Sequence, residues 1–308
     1  MNSRKLFLIV MMIFFYNFNV FSLENKILLK VDNEIITSVD ILLEIQYLTA
    51  INKDIVKLKE EKIFEIAKNS LIRRKIKDKE ILKYGDNFKI DPSYIDKVIN
   101  TNASNLGFNS LNEFKSHLKN FGLNTENLKN RILNEILWNE LVVNKYGSKL
   151  VINKKKIQSE IENGDKKSKS YLLSEIIFDV PTGYKIEERF NIIKQEISKN
   201  GFENASLIYS ISDTSSTGGK LGWVKEVSLN KLIKNKITDI KKGQYTEPIK
   251  IPGGFLILKV NDIKVNIEKL DKIKELKKRI REEKNQQLNQ YSLIYFNKVK
   301  KDTKINEL

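Results

Sequence analysis

The chain has 308 residues, no cysteine and a single histidine, with a formal net charge of +16. The lack of cysteine excludes disulfides, thiolate nucleophiles, cysteine-ligated zinc and iron–sulfur clusters, and one histidine excludes a multi-histidine metal site. Lysines are spread along the whole chain and alternate with acidic residues, so we interpret most of the charge as solvated surface and not as a stripe that binds phosphates. We therefore expect no nucleic-acid partner, no metal and no cofactor.

The N-terminus has the pattern of a secretory signal peptide. Arg4 and Lys5 precede an apolar run over residues 6–16, and the segment ends in small and apolar residues at Ser22. The run is shorter than the roughly twenty apolar residues that span a membrane. We expect residues 1–22 to be a signal peptide cleaved after Ser22, which places the protein in the periplasm with no membrane span. A retained N-terminal anchor is the alternative.

The region 23–165 is expected to be helical and to open with a short hairpin. Apolar segments at 27–31 and 35–37 flank the polar turn 32–34, the pattern of two paired strands. Apolar residues then recur at helical spacing, with capping signals at Thr37 or Ser38, at Asp91-Pro92 and at Ser110. The helices predicted from these signals cover about 39–48, 61–84, 92–99, 111–121 and 126–146.

The pattern changes after a polar segment at 154–169, which we predict to be a linker at a domain boundary. Over 170–262, short strands alternate with helices in the order β-α-α-β-α-β-β, which is typical of a small α+β domain. A long helix is predicted over 267–300, and 303–308 is expected to be a last short strand. We expect an α+β fold with domains at 23–165, 170–262 and 263–308.

The most informative stretch is SDTSSTGGKLGW at 212–223. It is not a phosphate loop, because no glycine stands five residues before Gly219 and Leu221 follows the lysine where that motif has Ser or Thr. Further along the chain, KGQYTEPI at 242–249 precedes PGGFLILKV at 252–260. Together with SEII at 174–177, these segments resemble the parvulin family of peptidyl-prolyl isomerases.

The flanking regions resemble SurA-type periplasmic chaperones. In that family a hairpin like VDNEIIT at 31–37 opens a helical N-terminal domain, and a C-terminal helix packs back onto it. The resemblance implies an ATP-independent chaperone that binds unfolded exported polypeptides, with outer-membrane proteins as the expected clients. Many members of that family carry two parvulin modules, but this chain has room for one, and we expect a monomer or weak oligomer.

The resemblance to parvulins implies an apolar pocket for the substrate proline. The matching positions are Leu221, Leu229 and Ile233, with Phe255 nearby and Leu256 on the same strand. Leu229 and Ile233 are four residues apart, so one face of a helix can present both. Ordinary core packing is the alternative for each of these residues.

Active parvulins commonly carry histidines on two strands beneath the substrate amide, and a cysteine or aspartate on the loop. The positions that match are Glu175 and Leu256 on the strands and Ser212 on the loop, with Asp213 adjacent. Glu175, Ser212 and Asp213 are therefore the catalytic candidates, but both histidines are missing and we expect weak or no isomerase activity. A working isomerase is the first alternative, and a basic protein that binds an anionic polymer or membrane surface is the second.

Overall fold

The structure is a computed structural model. It describes residues 25–84, 88, 90–162, 167–181, 183–267 and 271–308. The predicted signal peptide, residues 1–22, lies outside the described residues. Within the described ranges, no helix is long and apolar enough to cross a membrane.

The N-terminal part is helical after a short hairpin, as predicted. Strand β1 (Ile27–Val31) pairs antiparallel with β2 (Glu34–Thr37). The helices that follow are α1 (Ser38–Ile51), α2 (Glu60–Leu82), α3 (Pro92–Asn105), α4 (Leu111–Asn120) and α5 (Thr125–Tyr146). Two apolar clusters hold these helices together, one around α1, α2 and α5 and the other around α3, α4 and α5.

Local side-chain hydrogen bonds explain where these helices begin. At α1, the Thr37 hydroxyl accepts from the Asp40 N–H and the Asp40 carboxylate accepts from the Thr37 N–H, a complete capping box. At α4, Ser110 Oγ accepts from the Glu113 N–H, but the Glu113 carboxylate accepts from the N–H of Asn109 and not of Ser110. The capping signal at Ser110 is therefore confirmed, but the reciprocal half of a capping box is made with Asn109.

The C-terminal residues pack onto the N-terminal helices. Helix α10 (Lys272–Lys301) buries Tyr295 and Phe296 in the same cluster as Trp138 of α5, and the rings of Trp138 and Tyr295 stack with centroids 5.5 Å apart. Strand β7 (Ile305–Glu307) pairs antiparallel with β1 and gives a three-stranded sheet in the order β2-β1-β7. We call α1–α5, α10 and these three strands the helical unit.

A second unit surrounds a four-stranded antiparallel sheet in the order β4-β3-β6-β5. We call it the sheet unit. Its elements are β3 (Lys167–Phe178), α7 (Ile186–Asn200), α8 (Phe202–Tyr209), β4 (Lys220–Lys225), α9 (Lys231–Ile237), β5 (Ile249–Ile251) and β6 (Gly254–Ile267). The order β-α-α-β-α-β-β and the α+β fold class agree with the prediction.

The segment 154–169, predicted to be a polar linker, has regular secondary structure in its described residues. Helix α6 (Lys154–Glu162) occupies its first half, and β3 begins at Lys167. Ile157 and Ile161, four residues apart, are the buried residues of α6. Only one narrow stripe of this short helix is apolar, so its lysine-rich sequence does not indicate a helix. The predicted domain boundaries stay predictions.

Candidate functional site

The candidate site lies on one face of the four-stranded sheet. Across β3 and β6, Glu175 stands opposite Leu258, and Ile177 stands opposite Leu256. Because side chains alternate between the two faces of a sheet, these four side chains share one face. On that face Leu256, Leu258 and Ile233 of α9 belong to a single apolar cluster. A carboxyl group therefore stands on an otherwise apolar surface.

The structure brings together three of the five residues predicted to bind substrate. Leu229 and Ile233 pack in the same cluster as Leu256. Phe255 lies on the opposite face of β6, in the cluster that packs against α7 and α8. Leu221 is 39% exposed on the edge strand β4. Phe255 is separated from the others by the alternation of side chains along β6, so the structure does not place it in one pocket with them.

The Glu175 carboxyl is bound by two hydroxyl groups. Ser212 Oγ and Thr214 Oγ1 both donate to Glu175 Oε1, at 2.6 Å and 2.9 Å. Burial disfavours the charged carboxylate and raises the pKa of Glu175, and the two hydroxyl hydrogen bonds offset only part of this effect. Glu175 and Ser212, two of the three catalytic candidates, are thus in direct contact.

The paired glycines allow the loop to approach strand β3 closely. Gly218 and Gly219 have φ angles of +73° and +76°, in the region that glycine adopts readily. A Cβ atom on Gly219 would lie 2.1 Å from the carbonyl oxygen of Glu175. In this position the Glu175 N–H donates to the Gly219 carbonyl at 2.8 Å. The Gly-Gly motif therefore holds the hydroxyl-bearing residues against Glu175.

Helix α2 of the helical unit holds the same loop from the other side. The Lys77 ammonium donates to Asp213 Oδ1 at 2.8 Å. The Arg73 guanidinium donates to the carbonyl oxygens of Ser210 and Ser212, at 3.2 Å each. The loop of the sheet unit is therefore fixed by two cations of the helical unit, and Asp213 bonds to Lys77 and not to Glu175.

These contacts set the charge states of Lys77 and Asp213. Burial disfavours the Lys77 ammonium, whose side chain is 4% exposed, but the carboxylates of Asp213 and Glu135 outweigh burial and raise the pKa of Lys77. Desolvation acts against ionisation of Asp213, and Lys77 outweighs it and lowers the pKa of Asp213. Asp213 is therefore an ionised anchor for the loop and is poorly suited to donate a proton.

Three residues at this site were not predicted from the sequence. Thr214 carries a hydroxyl group two positions after Ser212, and this spacing was the signal that could have indicated its role at the site. Arg73 and Lys77 are four residues apart, so one face of α2 presents both. That spacing does not show which segment they contact, because the partner loop lies about 140 positions further along the chain.

A family model described as "Rotamase: PPIC-type PPIASE domain" matches residues 176–262. The match begins one residue after Glu175 and contains every other predicted site residue. Chaperone SurA of Pectobacterium atrosepticum is 27% identical over 209 residues, which cover 64% of this chain and 48% of that protein. The chain spans about half the length of the curated relatives it matches.

Two solved structures were also compared with the chain. One, from work that describes PEB4 and the periplasmic protein Cj1289 of Campylobacter jejuni as SurA-like chaperones, is 16% identical, covers 92% of this chain and 99% of its own, and has a TM-score of 0.37. PrsA of Bacillus anthracis is 21% identical, covers 74% of this chain and 95% of its own, and has a TM-score of 0.33. The PPIase family match and the relative named Chaperone SurA confirm the resemblance predicted from the sequence.

Proposed function

We propose that this protein is an ATP-independent periplasmic chaperone that binds unfolded exported polypeptides, outer-membrane proteins among them. Its PPIase domain has weak or no isomerase activity. The proposal includes a signal peptide over residues 1–22 and domains at 23–165, 170–262 and 263–308. The resemblance to SurA supports the chaperone function, and the geometry around Glu175 supports the loss of isomerase activity.

The observation that carries this proposal is that the polar groups on the sheet face form hydrogen bonds with one another. Isomerisation must lower a barrier of about 18–20 kcal/mol for rotation of the peptide bond, so the site must favour the twisted amide. Ser212 and Thr214 both donate to Glu175, and Leu256 can neither donate nor accept a hydrogen bond. Lys77 further fixes the loop through Asp213. The polar groups near the apolar cluster are thus engaged with one another.

A paired assay on protein beginning at Leu23 tests the proposal. One measurement follows isomerisation of a short Xaa-Pro peptide, and the other follows aggregation of an unfolded outer-membrane barrel diluted from denaturant. We expect suppression of aggregation with no acceleration of isomerisation. Failure to suppress aggregation of such clients contradicts the chaperone function.

A working isomerase is the second candidate. Leu229, Ile233 and Leu256 form an apolar surface beside Glu175, and this surface favours binding of a proline ring. Clear turnover that is lost in Ile233→Ala, with suppression of aggregation retained, establishes this candidate. It would also show that the missing histidines are dispensable.

A further inference from the structure

A cleft of about 320 Å³ lies in the helical unit, between α1, α2, α4 and α5. Its lining residues all lie between positions 40 and 134, so it is formed without the sheet unit. Four leucines provide its apolar wall: Leu43, Leu118, Leu123 and Leu128. The volume is near the lower end of the range for ligand sites, about 300–1,000 Å³.

The two arginines of this cleft are paired with a buried carboxylate. Glu44 is 1% exposed and accepts hydrogen bonds from Arg74 and Arg131, the two arginines that line the cleft. The Arg131 guanidinium also lies 3.7 Å from the ring centroid of Tyr47. Because these guanidinium groups already face a buried carboxylate, the cleft is poorly suited to an anionic ligand.

Two further carboxylates and four asparagine amides also line the cleft. Asp40 accepts a hydrogen bond from the Thr37 hydroxyl, and Asp78 accepts one from Asn134 Nδ2. Asn127, Asn130 and Asn134 lie on α5 at positions i, i+3 and i+7, so they form a row along one face of the helix. Asn124, the N-cap of α5, continues this row. A side-chain amide carries one carbonyl acceptor and an NH₂ donor, and so matches both polar groups of a peptide bond.

Asn134 carries an acceptor without a partner. The residue is 7% exposed, and its Nδ2 donates to the carboxylate of Asp78. Its Oδ1 is buried and has no hydrogen-bond partner among the described residues. A buried acceptor in this state costs about 1–3 kcal/mol, which a ligand N–H would recover.

We propose that this cleft, which we call the amide cleft, binds an extended segment of the unfolded client. A client backbone N–H donates to Asn134 Oδ1, the exposed amides of Asn127 and Asn130 pair with further backbone groups, and apolar client side chains contact the leucines. Recognition of the backbone is independent of client sequence, as a chaperone for many clients requires. The inference rests on the proposed chaperone function and specifies where that function takes place.

A peptide with blocked backbone donors provides the first test. The probe is an uncharged, unstructured twelve-residue peptide rich in Leu and Tyr, compared with the same sequence carrying N-methyl groups on alternate residues. We expect the methylated peptide to bind at least about fivefold more weakly, since one backbone hydrogen bond is worth about 1 kcal/mol. Equal affinity of the two peptides overturns the inference.

Variants of the cleft locate the bound peptide. Asn130→Ala removes an exposed amide and should leave folding intact, and Asn134→Ala removes the buried acceptor. We expect each to weaken peptide binding about three- to tenfold. A photo-cross-linking residue at Leu43, which lines the cleft, should capture the peptide. The same residue at Val143, which is 41% exposed outside the cleft, should not.

The outcomes separate this inference from the proposed function. If aggregation of a barrel client is suppressed while Asn130→Ala and Asn134→Ala bind the peptide as the parent protein does, the inference is wrong and the chaperone function stands. Cross-linking at Val143 in preference to Leu43 gives the same result. If the protein neither suppresses aggregation nor binds the peptide, both proposals fail.

Discussion

Replacing Glu175 with glutamine tests whether the half-buried carboxyl destabilises the sheet unit. Glutamine has nearly the same shape, and its Oε1 still accepts from the hydroxyls of Ser212 and Thr214. The substitution removes the charge that burial disfavours and replaces the oxygen that neither hydroxyl binds with an NH₂ group. We expect Glu175→Gln to be more stable than the parent protein at neutral pH.

The magnitude follows from the surroundings of this carboxyl. Both groups that donate to it are neutral hydroxyls, and it faces the apolar side chain of Leu258 across the strands. A buried polar group that is incompletely compensated costs about 1–3 kcal/mol, and the two hydroxyl hydrogen bonds recover part of this cost. We therefore expect a gain of about 1–2 kcal/mol in the free energy of unfolding.

The gain depends on pH with a definite sign. The pKa of Glu175 is raised in the folded protein, so the folded state holds its proton more tightly than the unfolded state does. The stabilisation from the protonated acid is complete below the unfolded pKa of about 4.3 and is lost as the pH rises through the folded pKa. Glu175→Gln should therefore match the parent protein near pH 4 or below, exceed it at pH 7, and show no further change above the folded pKa.

Tryptophan fluorescence provides the assay. The chain has two tryptophans, and in a Trp138→Phe background Trp223 of strand β4 reports unfolding of the sheet unit in urea. Glu247→Gln, which alters an exposed glutamate of the same unit, is the matched control and should change little. A Glu175→Gln protein that is no more stable at pH 7, or whose advantage persists unchanged at pH 4, refutes the reasoning.

Three further predictions concern packing and the contact between the units. Gly219→Ala should lower the free energy of unfolding by more than about 1 kcal/mol because its Cβ would lie 2.1 Å from a backbone oxygen. Gly222→Ala, which has open space around its Cβ position, should lower it less in the same urea titration. Phe296→Ala should lower the free energy of unfolding by about 3–5 kcal/mol because it leaves a cavity beside Trp138 in the helical unit. Ile273 is 71% exposed on the same helix, so Ile273→Ala should leave thermal unfolding nearly unchanged. Lys77→Met should raise amide hydrogen exchange in the loop 212–217 about two- to fivefold. This factor corresponds to about 0.5–1 kcal/mol, the value expected for an ion pair with half-exposed carboxylates. Unchanged exchange in the loop means that this ion pair does not hold it.

Local patterns in the sequence were sufficient for most of the secondary structure. The hairpin at the start of the helical unit, the capped start of α1 and the final strand each follow from a few neighbouring residues, and the structure agrees. The helix boundaries differ by a few positions, as at α2, predicted over 61–84 and found at Glu60–Leu82. The exception is α6, where a narrow apolar stripe is hidden in a lysine-rich segment.

The candidate site was only partly predictable. Glu175 and Ser212 were proposed from a family pattern, and their contact follows from the close approach that Gly219 permits. Phe255 was placed near the pocket from the same family pattern. It is adjacent to Leu256 on the strand and therefore points to the opposite face.

The sequence by itself determined the α+β class and the order of the elements, because turns, caps and apolar periodicity are encoded over short distances along the chain. Its motifs also indicated the resemblance of the sheet unit to parvulins, which the family match confirms. Only the tertiary structure decided that Arg73 and Lys77 of α2 hold the loop beside Glu175, and that the amide row of α5 lines a cleft with an unpaired buried acceptor at Asn134. Such contacts join residues far apart in the chain, and neither charge nor spacing in a single segment specifies the partner. Burial likewise depends on what packs against a residue, so the raised pKa of Glu175 could be read only from the folded protein.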